Sequence, residues 1–397
     1  MNNDEPILFI EINEINYIFV VGVYKNDNLE IIEKISTPHI GIDKNKFIDI
    51  FKASETLKNK IKKIEDKLDC IFKNVTVILD NFDYTCVNIS GFKKLNGSQV
   101  LKENISYILN SLKSAVSDNE KDKSILHIFN SRSTLDGNNI ENLPIGLFGD
   151  FYSHELTFLL IGNNDLKNIK QIFNRNNLEV KKIFLKKFCE GVQLINQNNI
   201  ETFFKIKINY NTCSIIFFDQ ASFRYSEYFN FGTDIIFKDI IKICSIDDEA
   251  ITNFFNNGFN KNEKFSDSQL LEEKYFLKGN YRKIRKKLII DIVKARVDEI
   301  VNIILHKNIN IPKFNKDKIK IYITFQDKTV SNNFYEYFES YFNKNSNFET
   351  NLIEEFETNS LISNIANLST YGWRKEAIPI VQIKNSLITR IFKSIFG

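Results

Sequence analysis

Along Phe204–Gln220 (FKIKINYNTCSIIFFDQ) apolar and polar residues first alternate, with Ile206 and Ile208 set between Lys205, Lys207 and Asn209. A wholly apolar run, Ile215–Phe218, follows after Tyr210-Asn211-Thr212. Period-two alternation and a short apolar run, separated by turn residues, predict two strands joined by a hairpin. Ile7–Tyr24 (ILFIEINEINYIFVVGVY) repeats the pattern: one run ends in Glu11-Ile12-Asn13-Glu14 and a second covers Tyr17–Val23. Two such hairpins about half a chain apart predict a duplicated, two-lobed fold whose turns face each other across a cleft.

Elsewhere the period changes between two and 3.6. Leu29–Ser36, Asn74–Asp80, Tyr84–Ile89, Ser153–Leu160, Leu178–Leu185, Phe223–Phe229 and Lys318–Phe325 read as strands. Lys44–Leu68 reads as a helix with Phe47, Ile50, Phe51, Leu57, Ile61, Ile64 and Leu68 on one face. Ser98–Lys113 reads as another, capped by Ser98. Asn163–Asn176, Phe188–Gln197, Thr233–Ile243, Asp247–Asn256, Asn332–Phe342 and Ser360–Tyr371 are further helices. Arg282–His306 is a long one, with a stripe of Ile284, Leu288, Ile292, Ala295, Ile300 and Ile304. Alternating strands and helices predict α/β layers.

The last stretch, Lys384–Gly397 (KNSLITRIFKSIFG), places Leu387, Ile388, Ile391, Phe392, Ile395 and Phe396 on one helical stripe. Thr389, Arg390, Lys393 and Ser394 occupy the other face. It is too short to span a bilayer. It fits a helix lying among lipid headgroups, with Arg390 and Lys393 toward anionic lipid, or a terminal helix packed on the core.

Composition narrows the picture. In 397 residues, 43% are hydrophobic and 26% charged, as in a globular protein with sizeable cores. The 36 Phe and 14 Gly, with abundant Ile, Asn and Lys, reflect A/T-rich codons rather than a function. A net charge of +3 gives no case for a nucleic-acid partner. The basic runs Lys58–Lys67 and Arg282–Lys287 read as solvated helix faces. The five Cys form no paired motif and read as reduced thiols of a cytosolic protein; the four His have no metal-ligand spacing, and no metal is expected. The N-terminus MNNDEP lacks a basic region, so no signal peptide is expected, and no apolar run approaches the length of a membrane span. No nucleophile–base pair is visible; Asp80–Asp83 and Asp247–Glu249 read as caps and turns.

At Ile125–Leu160 the chain resembles FtsA, the actin-like bacterial cell-division family that ties the FtsZ ring to the membrane. The family has a strand ending in His, an Asp-Gly turn, Asn-Pro-Ile-Gly, a second Gly, and a strand carrying a His. The corresponding residues are His127, Asp136-Gly137, Leu143-Pro144-Ile145-Gly146, Gly149 and His154, with Leu143 in place of Asn. Leu178-Glu179-Val180, Phe188–Leu194, Gly232-Thr233-Asp234-Ile235, Glu249-Ala250-Ile251 with Gly258, and Ile290–Ile300 with Arg296 and Glu299 follow the family in order. The resemblance implies a two-lobed actin-like α/β fold of the Hsp70, actin and sugar-kinase type, with an inserted subdomain and a C-terminal amphipathic helix. It implies first-lobe core at 1–73 and 161–198, the insertion at 74–160, and second-lobe core at 199–237 and 314–375. A distal subdomain would be 238–313, a linker 376–384 and the membrane helix 385–397.

The implied function is a scaffold that anchors the FtsZ ring to the cytoplasmic face of the inner membrane at the division septum. Its implied partners are the FtsZ C-terminal tail, received by the distal subdomain near Asp234 or Asp247–Asn257, other divisome proteins, anionic lipid and copies of itself. A PilM-type pilus-assembly adaptor and an active ATPase or kinase of the same superfold are the alternatives.

The nucleotide motifs depart from the family. Its first phosphate turn, Asp-Ile-Gly-Thr-Ser-Lys, corresponds here to Glu11-Ile12-Asn13-Glu14-Ile15-Asn16. Its second, Asp-Ile-Gly-Gly-Gly-Thr-Thr-Asp, corresponds to Lys207-Ile208-Asn209-Tyr210-Asn211-Thr212-Cys213-Ser214. Its third, Thr-Gly-Gly-Gly, corresponds to Thr324-Phe325-Gln326-Asp327. Glycine lets backbone N–H groups close on phosphate oxygens, and the acid orders Mg²⁺ or its waters. Glu11 retains an acid, whereas Lys207 cannot bind a cation. The reading is therefore a degenerate site filled by side chains such as Tyr210 and Phe325, with no ATP hydrolysis and no cofactor. Lys207 as a counter-charge to phosphate is the alternative.

Overall fold

The structure, a computed structural model, describes residues 5–25, 28–43, 46–259, 265–276, 281–314, 318–344 and 347–377. The membrane-binding stripe read from Leu387, Ile388, Arg390, Ile391, Phe392, Lys393, Ile395 and Phe396 lies outside the described residues.

Strands β1 (Ile7–Ile12), β2 (Asn16–Lys25) and β3 (Asn28–Pro38) form a meander, and the short β4 (Ile42–Asp43) and β5 (Lys46–Phe47) precede helix α1 (Ile50–Leu68). Strand β6 (Asn74–Leu79) then returns parallel to β1, with Leu8 beside Val75. Next come β7 (Tyr84–Lys94), α2 (Lys102–Asn119), β8 (Lys123–Leu135), β9 (Asn138–Ile140), β10 (Phe151–Gly162) and α3 (Asn163–Asn174). Strand β11 (Glu179–Leu185) completes the first sheet, in the order β11-β6-β1-β2-β3, and α4 (Lys186–Asn198) follows it. A second meander is β12 (Phe203–Ile208), β13 (Cys213–Asp219) and β14 (Ser222–Phe229). The helices α5 (Asp234–Cys244), α6 (Asp248–Asn257) and α7 (Lys286–Val301) lead to β15 (Ile319–Phe325), α8 (Lys328–Phe342), β16 (Phe348–Leu352) and α9 (Thr358–Tyr371).

The duplication expected from the two hairpins is present in the strand pairing. In each sheet a central strand, β1 or β12, pairs antiparallel with the strand that follows it in sequence. On its other side it pairs parallel with a strand reached through helices, β6 or β15. The second sheet reads β14-β13-β12-β15-β16. A parallel pairing buried on both faces demands apolar strands, and β1, β6, β12, β13 and β15 are buried almost throughout. Aromatic rings pair across the β12–β13 ladder, Phe203 on Phe218 and Phe204 on Phe217, with centroids 5.2 and 4.4 Å apart.

Both sheets belong to one compact unit, Met1–His39, Ile61–Asp80 and Val180–Tyr371. Inside it α4 is buried on nearly every side, from Phe188 to Ile195. Gly191 permits this: a Cβ there would stand 2.1 Å from the Phe218 ring. Asn364 on α9 donates to the Cys189 carbonyl at 3.0 Å and fixes α4 from the other side.

The second unit is Ile40–Lys60, Asn81–Glu179 and Gly372–Gly397. Its sheet runs β7-β10-β8-β9, and α2 covers one face with Ile105, Ile108, Leu109, Leu112 and Val116.

Three local readings are corrected. The first helix begins at Ile50 rather than Lys44, because Ile42–Phe47 pair as strands and Asp49 accepts from Lys52 N at 3.0 Å. Phe51 is consequently 69% exposed, under the Arg175 guanidinium. Ser98 caps no helix: its hydroxyl donates to the Leu95 carbonyl, and the helix starts at Lys102. Of the stripe read along Arg282–His306, Ile284, Ile292, Ile300 and Ile304 are buried, but Leu288 and Ala295 are exposed, and Ile289, Val293 and Val297 of α7 are buried in addition.

Candidate functional site

The first two predicted phosphate turns are closed by bonds among their own residues. In the first, Asn13 Oδ1 accepts from Ile15 N at 3.0 Å and Asn16 N at 2.8 Å, and Asn13 N donates to the Asn16 carbonyl. In the second, Asn209 N donates to the Thr212 carbonyl at 2.8 Å and Asn209 Nδ2 to Thr212 Oγ1 at 3.1 Å. Tyr210 N donates to Gln326 Oε1 at 3.3 Å. Asn211 is exposed at the tip. The backbone donors of Asn13, Ile15, Asn16, Asn209 and Tyr210 are thus bound to neighbouring carbonyl and side-chain amide oxygens. Gly232 supports the second turn from behind, since a Cβ there would meet the Asn209 and Tyr210 carbonyls at 2.3 Å. Thr233 N and Asp234 N donate to those two carbonyls at 3.0 Å each.

The side chains at these turns do not behave as their sizes alone predicted. Tyr210 is 52% exposed and fills no cleft. Phe325 packs in the core against Phe338, with centroids 5.1 Å apart. What gathers behind the turns is charge. Glu11, from the end of β1, and Asp80, just past β6, both accept from Lys186 Nζ, at 2.8 and 3.0 Å. Lys186 is the first residue of α4. One helical turn on, Glu190 pairs with Lys205 of β12. Lys207, two positions along the same face of β12, pairs with Glu355 at 2.7 Å. Thr324 lies beside Lys207 in the β12–β15 register and is buried, with no partner for its hydroxyl among the described residues.

These groups settle one another's protonation. Burial pushes the Asp80 carboxyl up, but the Lys186 and Lys207 ammoniums outweigh it and hold it below the usual carboxylate range. Glu190 is held low in the same way, burial opposed by Lys205, Lys207 and Lys186. Burial would lower Lys186; Asp80 and Glu11 overcome this and raise it. Lys207 is likewise raised, by Glu190, Asp80 and Glu355 against burial. Lys187 is the exception: burial dominates and pushes it down to about 8. The site is therefore a largely buried network of Glu11, Asp80 and Glu190 against Lys186, Lys187, Lys205 and Lys207, with the exposed Glu355 pairing Lys207 at its edge. A cation placed between Glu11 and Asp80 would have to displace the Lys186 ammonium.

Of the predicted positions, Glu11, Lys207 and Thr324 share this network, while Asn13, Asn16, Asn209, Tyr210, Asn211 and Thr212 form the self-bonded turns. The reading of Asp80 as a turn residue is corrected, and Lys186, Lys187, Glu190, Lys205 and Glu355 were missed. A signal was present in Lys186-Lys187-x-x-Glu190 opening a helix, and in Lys205 and Lys207 alternating into an otherwise apolar strand. Asp234, a candidate partner contact, is only 5% exposed and bonded to Lys238 at 2.5 Å.

The duplicated sheets, with α4 and α9 packed together in the same unit, define an actin-like α/β protein. Consistent with that fold, a solved PilM–PilN type IV pilus biogenesis complex superposes with a TM-score of 0.50 at 10% identity, over 92% of this chain and 98% of that one. Among curated proteins, the cell division protein FtsA of Buchnera aphidicola subsp. Schizaphis graminum is 22% identical over 317 residues, 78% of this chain and 75% of the relative. FtsA of Buchnera aphidicola subsp. Acyrthosiphon pisum is 21% identical over 319 residues, 77% of this chain and 74% of the relative. No family model matches the chain. The chain thus resembles FtsA over most of its length.

Proposed function

We propose that this chain is an FtsA-type scaffold of cell division, acting by multivalent binding and not by turnover. The observation that carries the reading is the resemblance to FtsA across 78% of the chain. In this reading the distal helices α5–α7 receive the FtsZ tail. The stripe Leu387–Phe396 lies on anionic lipid at the cytoplasmic face of the inner membrane, and copies of the chain associate so that weak individual tails act together. No helix among the described residues is long and apolar enough to cross a membrane.

The absence of nucleotide turnover is part of the proposal, and the site geometry supports it. A triphosphate with Mg²⁺ needs free backbone donors and a free carboxylate. Here the donors of Asn16 and Tyr210 are engaged, and Glu11 and Asp80 are neutralised by Lys186. The lysine–carboxylate network instead ties β1, α4 and β12 to one another. Unit two adds a surface suited to protein partners. Phe92 stacks on Phe151 with centroids 5.1 Å apart, and Leu101, Ile145, Leu147 and Phe148 are exposed around the paired segments Leu95–Leu101 and Pro144–Phe151.

Sedimentation with phosphatidylglycerol vesicles, with and without an FtsZ tail peptide, tests the reading. The full chain should co-sediment and retain the peptide, and removing Leu387–Gly397 should abolish sedimentation alone. Unchanged sedimentation after that deletion would overturn the membrane assignment, and would favour a PilM-type adaptor.

A further inference from the structure

Helix α3 has two faces. Ile169, Ile172 and Phe173 are buried, while Lys167, Lys170, Gln171, Asn174 and Arg175 are exposed at helical spacing and line one surface depression of about 460 Å³. The end of the helix is fixed: Asn176 Nδ2 donates to the Ile172 carbonyl at 2.8 Å and to the Ser54 carbonyl of α1 at 3.1 Å. One turn before Ser54, Phe51 presents its exposed ring, and the Arg175 guanidinium stands 4.1 Å from the ring centroid. All of these residues belong to the second unit.

The charge of this face is not neutralised. Among the described residues Lys167, Lys170 and Arg175 form no ion pair, and no acid lines the depression. Cations on other helix faces are partnered: Lys52 by Asp49, Lys238 by Asp234, and Arg296 by Asp239 and Glu299. Lys167 and Lys170, three positions apart, repel within the helix, so an anion bound there relieves a repulsion that the fold leaves in place. The three cations lie along about 12 Å of helix, with the amides of Gln171 and Asn174 between them. The stack on Phe51 steadies the Arg175 fork, whose paired N–H donors match a carboxylate, and the lysines act as point charges. Anionic lipid surfaces draw on clusters of about four to eight basic residues, more than this face carries. A fork, two amides and an exposed ring suit carboxylates set beside an apolar side chain.

We propose that the Lys167–Arg175 face of α3, with Phe51 at its end, docks an acidic segment of a partner protein that also carries an apolar residue. One carboxylate takes the Arg175 fork, others meet Lys170 and Lys167, and the apolar residue covers Phe51. At about 3.4 Å per residue the face spans roughly four residues of an extended chain, and alternate side chains of such a chain point to the same side. The proposal stands on the second unit alone and needs neither the membrane reading nor the FtsZ reading above.

Fluorescence anisotropy on the full chain tests it, with a fluorescein-labelled nonapeptide of three Glu-Glu-Phe repeats as the probe. The chain should bind the peptide at low ionic strength and release it as salt rises, because exposed charges are screened. Lys170→Glu with Arg175→Glu should weaken binding at least tenfold. Lys62→Glu with Lys63→Glu, the same charge change at exposed positions of α1, should alter it less than twofold. Phe51→Ala should weaken it several-fold at unchanged net charge. No binding by the unaltered chain overturns the proposal. So does an equal loss in both charge-reversed pairs, which would mean attraction to net charge alone. A Lys170→Glu, Arg175→Glu chain that keeps the peptide but loses sedimentation with phosphatidylglycerol vesicles assigns the face to lipid and overturns it too. If those two changes lower the melting temperature, Lys167→Gln with Lys170→Gln decides. That pair leaves the Arg175 stack in place and should still weaken the peptide several-fold, and no weakening refutes the proposal.

Discussion

His154 sets a pH limit on the second unit. It lies in β10, 1% exposed, beside Tyr152 and opposite Gly91 and Ser133, and neither ring nitrogen has a partner among the described residues. Burial alone pushes its pKa down from 6.5 to about 4. The folded protein therefore holds the imidazole neutral where the unfolded chain binds a proton. A group depressed in this way leaves stability untouched above pH 6.5 and removes it as pH falls toward 4. Each unit of difference is worth about 1.4 kcal/mol, so the loss reaches about 2 kcal/mol at pH 5 and about 3 kcal/mol near pH 4. His154→Leu keeps the volume close and removes the proton site. Urea unfolding followed through Trp373, which belongs to the same unit, should show both proteins of similar stability at pH 7 or the variant somewhat more stable. The gap should widen in favour of the variant by about 2 kcal/mol at pH 5. A gap that stays constant from pH 7 to pH 5 refutes the reasoning, because it would mean that His154 finds a proton-compatible partner in the folded state.

The network behind the turns makes further commitments. Lys186→Met removes the ammonium that bridges Glu11 and Asp80, and should destabilise the first unit by about 3–5 kcal/mol in denaturant unfolding. Adding Asp80→Asn to it should recover part of that loss, since the two changes share one interaction. Gly191→Ala places a Cβ 2.1 Å from the Phe218 ring and should cost about 1–3 kcal/mol by overpacking. Millimolar Mg-ATP should leave the melting temperature unchanged; a rise that grows with ligand concentration would show a working site.

The fold was legible because its evidence is local. The two hairpins carry period-two alternation next to apolar runs, and that pattern alone predicted the duplication seen in β1–β2 and β12–β13. The loss of glycine at both turns was equally legible, since glycine is what a close approach to phosphate requires. The charge network behind the turns was not. Glu11 and Lys186 are 175 positions apart, and no local rule pairs them. Sequence reasoning assigned the filling to the bulkiest turn residues, Tyr210 and Phe325, whose side chains go to solvent and to the core. The α7 stripe was right in part for a related reason. Ile292 and Ile300 are buried as read, but Leu288 and Ala295, which share the helical spacing, are exposed while Ile289, Val293 and Val297 are buried, and only packing against α5 and α8 makes that choice.

If the chain is an FtsA-type protein as proposed, the geometry of the turns bears on what a site without glycine must satisfy. Acids buried as Glu11 and Asp80 are would be costly without a counter-charge. In this chain Asn13 and Asn209 bond their own turns, and Lys186 lies between the two acids of the first half. Lys207 stands where the second half would carry an acid, and adds the counter-charge that holds Asp80 and Glu190 ionised. In these first two turns and behind them, the asparagines and lysines satisfy polar groups that would otherwise be left without partners. A single reversion, such as Asn209→Gly, would leave the lysines in place and should not recover binding. Recovery would require the turns to regain glycine and Lys186 and Lys207 to be replaced together.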